Sequence, residues 1–429
     1  MITAPALVSA RFAPRAAAGS ATRTACLVIT QWYPPEPART GQRIAHSLRD
    51  SGLGVEVLTG MPHYPVGRVM TGYRASRPTR EVRDGISILR TPEYPNHSTS
   101  VLGRMANYLS WAVSSALLGQ RALRSADVAL VYSSPATAGL PALVGRFLHG
   151  TPYVLLIQDL WPDSVFATGY GNALITRARG LLDLMCRALY RHASHICVIS
   201  PGMVDVLVDR GVPRDKLTLV YNWQDEADAP APLRSDDDHT GPVRVLYAGN
   251  HGPAQGLESL IRAAAACPTV ELSLIGDGTD KPRLRELAQA IDATNVHFLG
   301  RVDKEQLDDL QRRFDVQVAS LGTDPLFSYT MPSKVQGILV AGMPLLAIAS
   351  GDVARVAEES GSGWAAPPGD VAAIQEALER VGATSRAELA QRGAKARQHY
   401  DEHMGRERNL ARLREVLESA RHNRRGVRR

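Results

Sequence analysis

The residues with the clearest chemical potential are Pro332, Ser333 and Lys334, which precede a short helical pattern, an Ala341-Gly342 pair and an apolar strand. Proline is favoured in the first turn of a helix, and the Ser333 hydroxyl can satisfy an amide donor left free there. The start of a helix attracts anions, and the charge of Lys334 strengthens that attraction. The segment predicts an anion site suited to a diphosphate; the alternative is an ordinary αβ unit with a solvated Lys334.

A second segment of this kind is the glycine-rich turn after the strand at residues 243–249. It leads from a strand into a helix, as diphosphate-binding turns do, but it lacks the GxGxxG spacing of dinucleotide folds, so a dehydrogenase is disfavoured. For His251, we favour a solvated side chain over a phosphate donor. The residues expected near the diphosphate in this turn, and in the tight turn after the next strand, are Gly249, Asn250, Gly252, Gln255, Gly276 and Gly278.

The loop at residues 31–41 follows the first apolar strand, at the edge where an open α/β sheet binds its ligands. Gly41 would let backbone amides approach a phosphate. Trp32 and Tyr33 could stack on a sugar ring, and the alternative is a rigid turn around a buried aromatic side chain.

The sequence Gln-Asp-Leu-Trp-Pro-Asp at residues 158–163 also follows a strand. An acidic side chain at such a strand end can orient or deprotonate a hydroxyl group of an acceptor. We assign that role to Asp159. For Asp163, a helix N-cap is an equally good interpretation.

The elements that must position these residues form two series of short apolar strands alternating with helices, at residues 25–223 and 243–396. Continuous apolar runs are typical of parallel strands buried on both faces. The predicted fold is therefore α/β, with two Rossmann-like, doubly wound domains that face each other across a cleft.

Four further segments flank or join these domains. Residues 1–24 lack the apolar core of a signal peptide and are expected to be a flexible extension. Residues 224–242 are predicted to be a linker, whose acidic run suits solvent better than a metal. Residues 397–420 should form one long helix that packs across both domains. Residues 421–429 form a basic tail, suited to an anionic membrane or simply disordered.

Composition narrows the class further. The chain has 429 residues and a formal net charge of +6, which is modest for this length, and we expect no nucleic-acid partner. Its four cysteines lack disulfide or zinc spacing, so a reducing, cytoplasmic location and no metal site are expected. No apolar run reaches the length that spans a bilayer.

Taken in order, these motifs resemble the retaining GT-B-fold glycosyltransferases of family 4 type, in particular the bacterial enzymes of O-antigen, capsule and colanic-acid type pathways. The resemblance covers residues 25–420 and also includes Val-Tyr-Asn-Trp at residues 220–223 and Asn-Val-His-Phe-Leu-Gly at residues 295–300. It implies metal-independent transfer, without a cofactor, of a hexose or N-acetylhexosamine from a UDP-sugar to a lipid-linked or glycan acceptor. The donor would lie mainly in the second domain.

The resemblance also assigns residues. Lys334 would stabilise the leaving diphosphate and Asp159 would orient the acceptor. The donor-binding set adds Gly41, Arg301 and Ser333 to Lys334 and to the six residues of the two glycine-rich turns.

The sequence departs from the family pattern at three places. A Glu-x7-Glu pair, whose second carboxylate holds the ribose, is replaced by Tyr329 and Gly337. Asn250 and Gln255 stand where many members have Arg and Lys, and Gln158 replaces a common histidine. Two alternatives therefore stay open: a nucleotide-sugar 2-epimerase, and a catalytically silent nucleotide-sugar-binding partner.

A peripheral membrane location is also expected. Residues 105–120 are uncharged, contain two aromatics of the interfacial type and lie between Arg104 and Arg121. Together with the basic tail and the arginines of a later helix, this segment predicts docking on an anionic inner leaflet. The alternative is a helix buried in the domain core. The arginines of the later helix are Arg177, Arg179, Arg187 and Arg191.

Overall fold

The computed structural model of the protein describes residues 25–97, 100–166, 173–224, 241–302 and 304–427. The extension expected at residues 1–24 and almost all of the expected linker lie outside these ranges.

The first domain is built on an eight-stranded sheet in the order β3-β4-β2-β1-β5-β6-β7-β8. Every neighbouring pair is parallel except β3 with β4. The central strand β6 is buried along its whole length and β1 is buried from Cys26 to Ile29, which explains their continuous apolar sequences. The strands are β1 (Ala25–Ile29), β2 (Gly54–Gly60), β3 (Thr79–Arg83), β4 (Ile86–Thr91), β5 (Val128–Ser133), β6 (Tyr153–Ile157), β7 (His195–Val198) and β8 (Leu217–Leu219).

Helices cover this sheet and place its loops. The helices are α1 (Arg39–Asp50), α2 (Val101–Leu118), α3 (Gln120–Ser125), α4 (Gly139–His149), α5 (Asp163–Phe166), α6 (Ala173–His192) and α7 (Pro201–Asp209). The helices α2, α4 and α6 pack side by side, with α2 against β2 and β4 and α4 against β5 and β6.

The second domain has a six-stranded, fully parallel sheet in the order β11-β10-β9-β12-β13-β14. Its strands are β9 (Val243–Ala248), β10 (Val270–Ile275), β11 (Val296–Gly300), β12 (Val316–Ser320), β13 (Leu345–Ile348) and β14 (Gly363–Ala366). Its helices are α8 (Leu257–Ala265), α9 (Lys281–Ala290), α10 (Lys304–Gln311), α11 (Ser333–Val340), α12 (Asp352–Glu359), α13 (Val371–Gly382) and α14 (Arg386–His399). Two doubly wound α/β domains are therefore present, as predicted.

The C-terminal segment differs from the single helix predicted over residues 397–420. The helix α14 ends at His399, a π-helical turn covers Tyr400–Met404, and α15 (Arg406–Val427) follows. The break lies at Gly405, whose ψ of 150° is outside the helical region, and the turn before it buries Tyr400 and Met404 in the second domain's core.

The helix α15 returns to the first domain, where Leu413, Val416, Leu417 and Ala420 join the core. It packs on β5, β6 and β7 beside α1. Because α4 packs on the same strands β5 and β6, the two helices cover opposite faces of the sheet. The prediction of a separate tail at residues 421–429 is also wrong over the described residues, because α15 continues to Val427.

The two domains meet at the carboxyl ends of their strands. Ser200, after β7, donates a hydrogen bond to the backbone oxygen of Tyr329, 2.7 Å away. The amide of Gly202 donates to Asp352 at the start of α12, 2.8 Å away. Since Tyr329 precedes α11 and Asp352 follows β13, the ligand edges of the two sheets face each other across a cleft.

Candidate functional site

Lys334 and Gly249 lie together, although 85 residues separate them in sequence (334 − 249). Gly249 directly follows β9, and Lys334 is in the first turn of α11. A Cβ added to Gly249 would stand 2.8 Å from Lys334 Nζ, and Gly249 also has φ +155°, which disfavours other residues. The two segments with predicted diphosphate chemistry are thus combined at one strand end.

The Lys334 ammonium is a buried cation. Its Nζ lies 4.0 Å from the centroid of the Tyr247 ring and has no hydrogen-bond acceptor in the part of the chain that is described. Burial lowers the pKa of Lys334 to about 8, because the charged form loses hydration. A cation–π contact offsets part of that loss. An incoming anion would supply the hydrogen-bond acceptors that the ammonium lacks.

The backbone amides of the glycines were expected to bind the diphosphate, but in this structure they already donate to oxygens of the protein. The amides of Gly249 and Gly276 donate to the backbone oxygens of Ile275 and Gly300, at 2.9 and 2.8 Å. The amide of Gly278 donates to Asp277 Oδ1 at 3.0 Å. These glycines instead allow close backbone packing: a Cβ on Gly276 would lie 1.9 Å from the oxygen of Gly249.

The side chains of Asn250 and Gln255 stabilise the same turn. Gln255 Oε1 accepts from the amide of Gly252 and from the side chain of Asn250, both at 3.1 Å. The amide of Gly252 is therefore also occupied. Gln255 thus builds the turn in this conformation, and Asn250 remains exposed at its surface.

His251 is a correction to the sequence interpretation, because its side chain is fully buried rather than solvated. Its ring lies 5.9 Å from the ring of Tyr247 and 6.3 Å from that of Phe298. Burial lowers the pKa of His251, so the neutral imidazole is favoured. His251 therefore supports Tyr247, the ring beneath Lys334.

Ser333 and Arg301 are both exposed. Pro332 is the N-cap residue of α11 and no side chain caps the helix, so the expected capping role of Ser333 is not observed. The backbone oxygen of Ser333 accepts from Gln224, 3.1 Å away. Arg301 follows β11, the edge strand of the sheet, two strands away from β9.

In the first domain, Trp32 and Tyr33 separate into different environments. Tyr33 is buried, which corrects its proposed stacking on a sugar. Trp32 lies 5.8 Å from Tyr64 and 6.1 Å from Tyr108, ring to ring. Gly41 is buried in α1, where an added Cβ would lie 3.4 Å from Thr30 Oγ1.

Asp159 lies in a cavity of about 230 Å³ at the carboxyl end of β6. Ser134 donates a hydrogen bond to Asp159 Oδ2, 3.0 Å away. Burial raises the pKa of Asp159, and the Ser134 bond opposes that increase. The cavity is lined by Trp32, Arg104, Met105, Tyr108, Ser134, Pro135, Asp159, Trp161, Ser164 and Val165. A carboxylate beside aromatic rings suits a sugar hydroxyl.

Asp163 holds the two domains together. Its carboxylate accepts from Arg210 and, across the cleft, from the hydroxyl of Tyr329. This contact was missed from the sequence, where Asp163 was considered for an N-cap. The residue that replaces the first family glutamate, Tyr329, is thus an interdomain contact.

A buried polar cluster under the Trp32 loop was also missed. Glu36 accepts from the amides of Tyr33, His63 and Tyr64, at 2.9 to 3.0 Å. Burial is the largest single influence on the pKa of His63 and lowers it. The carboxylate of Glu93, 3.4 Å from His63 Nδ1, acts with other neighbours in the opposite direction, and the pKa is raised overall. The cluster fixes the loop that carries Trp32. Its members are distant in sequence, so no local pattern signals them.

These domains and their facing strand ends define the GT-B class. Residues 37–223 match the family described as glycosyl transferase 4-like domain, and residues 234–399 match glycosyl transferases group 1. Together the two matches extend from residue 37 to residue 399, and the chain belongs to the glycosyltransferases that combine these two domains, as the sequence resemblance predicted.

Similar proteins agree with that assignment. The chain is 27% identical over 326 residues to the putative colanic acid biosynthesis glycosyl transferase WcaI of Escherichia coli (strain K12), covering 72% of this chain and 79% of WcaI. Sucrose-phosphate synthase from Thermosynechococcus elongatus superposes with a TM-score of 0.70 at 17% identity, covering 92% of this chain and 98% of that structure. Anabaena HepE in complex with UDP and glucose gives 0.65 at 16% identity, covering 92% and 100%.

Proposed function

We propose that the protein transfers a hexose or N-acetylhexosamine from a UDP-sugar to a hydroxyl group of a lipid-linked or glycan acceptor, with retention of configuration and without a metal ion. The observation that carries this proposal is the buried ammonium of Lys334 beside Gly249, which has no acceptor within the described ranges. A similar fold in HepE is described with UDP and glucose. WcaI is named for colanic acid, which supports a polysaccharide or glycolipid acceptor.

The donor diphosphate would bind between the start of α11 and the end of β9. Lys334 would form a charge-assisted hydrogen bond to it, and the first turn of α11 would add its dipole. Negative charge grows on the diphosphate as UDP departs, so a preorganised, poorly hydrated cation stabilises the transition state more than the ground state.

The acceptor would bind over the first domain, in the cavity that contains Asp159. Its sugar ring would lie against Trp32 or Tyr108, and its hydroxyl group would donate a hydrogen bond to the Asp159 carboxylate. Asp159 would orient this hydroxyl group in its ionised form; burial raises its pKa, and the hydrogen bond from Ser134 opposes that increase.

In a single displacement, retention requires attack from the face that the leaving group occupies. The acceptor oxygen would form a bond to the anomeric carbon while the bond from that carbon to the UDP oxygen breaks, and UDP would leave with the electron pair. The acceptor proton would pass to the departing phosphate oxygen. No pair of carboxylates on opposite faces of the sugar, as in hydrolases, is needed.

Assays with radiolabelled UDP-glucose, UDP-galactose and UDP-N-acetylglucosamine, each with and without EDTA, test this proposal. We expect slow hydrolysis of one donor in water and faster transfer when lipid-linked or oligosaccharide acceptors are added. Conversion of the sugar without an acceptor would instead identify an epimerase. Binding without turnover would identify a silent partner, and activity that EDTA abolishes would contradict metal independence.

A further inference from the structure

The outer face of α2 is apolar and exposed. Leu102, Leu109, Val113 and Leu117 recur at helical spacing on this face, and Leu117 is 70% exposed. The inner face holds Trp111, which is completely buried. The helix therefore presents large apolar side chains to both the core and the outside, which is unusual for a solvated surface.

The neighbouring helices extend this surface. On α4, Phe147 and Leu148 are 65% and 64% exposed, and on α6, Leu181 and Leu184 are 70% and 63% exposed. The helices α2, α4 and α6 pack side by side. The ring of Phe147 also lies 4.9 Å from that of His192 on α6. We call the eight apolar side chains of these three helices the docking surface.

Positive charge surrounds the docking surface. The helices α2, α3 and α4 contain arginines but neither aspartate nor glutamate. On α6, Asp183 is the single acidic residue, and Arg187 Nε donates to it at 2.8 Å. Arg121, Arg187 and Arg191 are exposed. A second copy of this chain would bring like charges together, whereas anionic lipid headgroups would attract these arginines.

We propose that the docking surface lies on an anionic bilayer, with its apolar side chains in the headgroup region and the neighbouring arginines on the lipid phosphates. Among the described residues, no helix is both long and apolar enough to cross a membrane, so the chain would lie on the surface. This assignment replaces the one made from sequence, because Trp111 is buried in the core and Tyr108 lines the Asp159 cavity.

The docking surface also connects to the proposed acceptor site. Arg104, Met105 and Tyr108 project from α2 into the cavity that contains Asp159. The helix α2 thus presents apolar residues of the docking surface on one side and lines the Asp159 cavity on another side. On the proposed function, an acceptor sugar attached to a lipid could enter this cavity while its lipid stays in the bilayer.

Vesicle flotation with the full chain tests the proposal. Vesicles of phosphatidylcholine would be compared with vesicles that also contain phosphatidylglycerol, at low and high salt. We expect binding to the anionic vesicles at low salt and release at high salt, because screening weakens the arginine contacts. No binding to anionic vesicles at low salt would overturn the proposal.

Matched variants distinguish vesicle binding through the docking surface from nonspecific vesicle binding. Val113→Glu and Leu181→Glu should each lower the partition coefficient on anionic vesicles about tenfold, and Arg187→Glu at least about fivefold. Val82→Glu, on the exposed edge strand β3, and Arg380→Glu, on α13, should leave it unchanged. Equal loss in the control variants, or no loss in the docking-surface variants, would contradict the assignment.

Two further measurements keep the outcomes distinct. Circular dichroism and donor hydrolysis in solution should be unchanged in Val113→Glu, so that lost membrane binding is separated from misfolding and from failure of the proposed reaction. Size-exclusion chromatography tests the other occupant: a dimer that Val113→Glu or Leu181→Glu converts to monomers would overturn membrane docking in favour of self-association.

Discussion

The hydroxyl of Tyr329 donates a hydrogen bond to the carboxylate of Asp163 across the interdomain cleft, with 3.3 Å between Oη and Oδ2. The backbone oxygen of Tyr329 accepts a second bond from Ser200. The position at which the family resemblance would place a glutamate thus joins the two domains in this protein.

Tyr329→Phe should weaken the domain contact without weakening UDP binding. Asp163 retains Arg210, so the loss should be about 0.5–1.5 kcal/mol in urea unfolding. Hydrogen exchange should become faster at residues 325–333. Tyr153→Phe is a matched control, since it removes a hydroxyl bonded to Leu189 within the first domain. Weaker UDP binding in Tyr329→Phe with unchanged exchange would assign Tyr329 to the donor instead.

Gly337→Glu should restore a ribose-binding carboxylate. Gly337 lies within α11, and an added Cβ would have no heavy atom within 4 Å. Both Gly337→Ala and Gly337→Glu should stabilise the helix by about 0.5–1 kcal/mol. Only the glutamate should bind UDP more tightly, by about tenfold, because a bond to a charged group adds at least about 1.5 kcal/mol. Deoxyuridine diphosphate should lose part of that gain; equal affinity in both variants would contradict the prediction.

UDP affinity should depend on the protonation of Lys334. Burial lowers its pKa to about 8 from 10.5, so the ammonium is charged below pH 8 and becomes neutral above it. A bound diphosphate favours the charged form, so affinity should fall as the pH rises above about 8, with proton uptake measurable by calorimetry. Lys334→Arg should remove this dependence, since guanidinium stays charged. A UDP affinity of the wild type that does not change between pH 7 and 10 would contradict this dependence on Lys334.

The same lysine has the opposite effect on folding. Its folded pKa is lower than its unfolded pKa, so the unfolded chain binds more protons between pH 8 and 10.5. Lys334 therefore lowers the free energy of unfolding below pH 8, and this destabilisation decreases as the pH rises through this window. The difference in unfolding free energy between wild type and Lys334→Met should shrink over the same range.

Ser134→Ala should shift the acid limb of the pH–rate profile to higher pH. The hydroxyl of Ser134 stabilises the ionised form of Asp159, against burial, which raises its pKa. Without this bond, Asp159 should become protonated at a higher pH and activity should be lost earlier as the pH falls. UDP affinity should be unchanged. An unshifted acid limb would mean that Asp159 does not titrate in catalysis.

Much of the fold is predictable because parallel strands buried on both faces, such as β1 and β6, are continuous apolar runs. The strands β3, β4, β8 and β14 were not predicted from the sequence. β3 is an antiparallel edge strand with charged, exposed residues, and β8 has three residues. The break at Gly405 was also missed, because the charge pattern continues through it.

The place of the candidate site was predictable where its sequence signals are local. The Pro332-Ser333-Lys334 start and the turn at Gly249 were found, and the fold combines them. Burial of His251 was not predicted, and burial of Tyr33 and Trp111 was given only as an alternative, because a sequence does not show which side of a loop or helix meets a neighbouring element. The Tyr329–Asp163 contact joins residues 166 positions apart and has no local signal.

UDP titration calorimetry on three proteins, namely the wild type, Lys334→Ala and Asp159→Asn, tests the division of work between the two domains most directly. Lys334→Ala should lose about 1.5–3 kcal/mol of UDP affinity, the value of a hydrogen bond to a charged group. Asp159→Asn should bind UDP as the wild type does, although its turnover should fall about 100-fold or more. Unchanged affinity in Lys334→Ala, or an equal loss of affinity in Asp159→Asn, would contradict the proposed site.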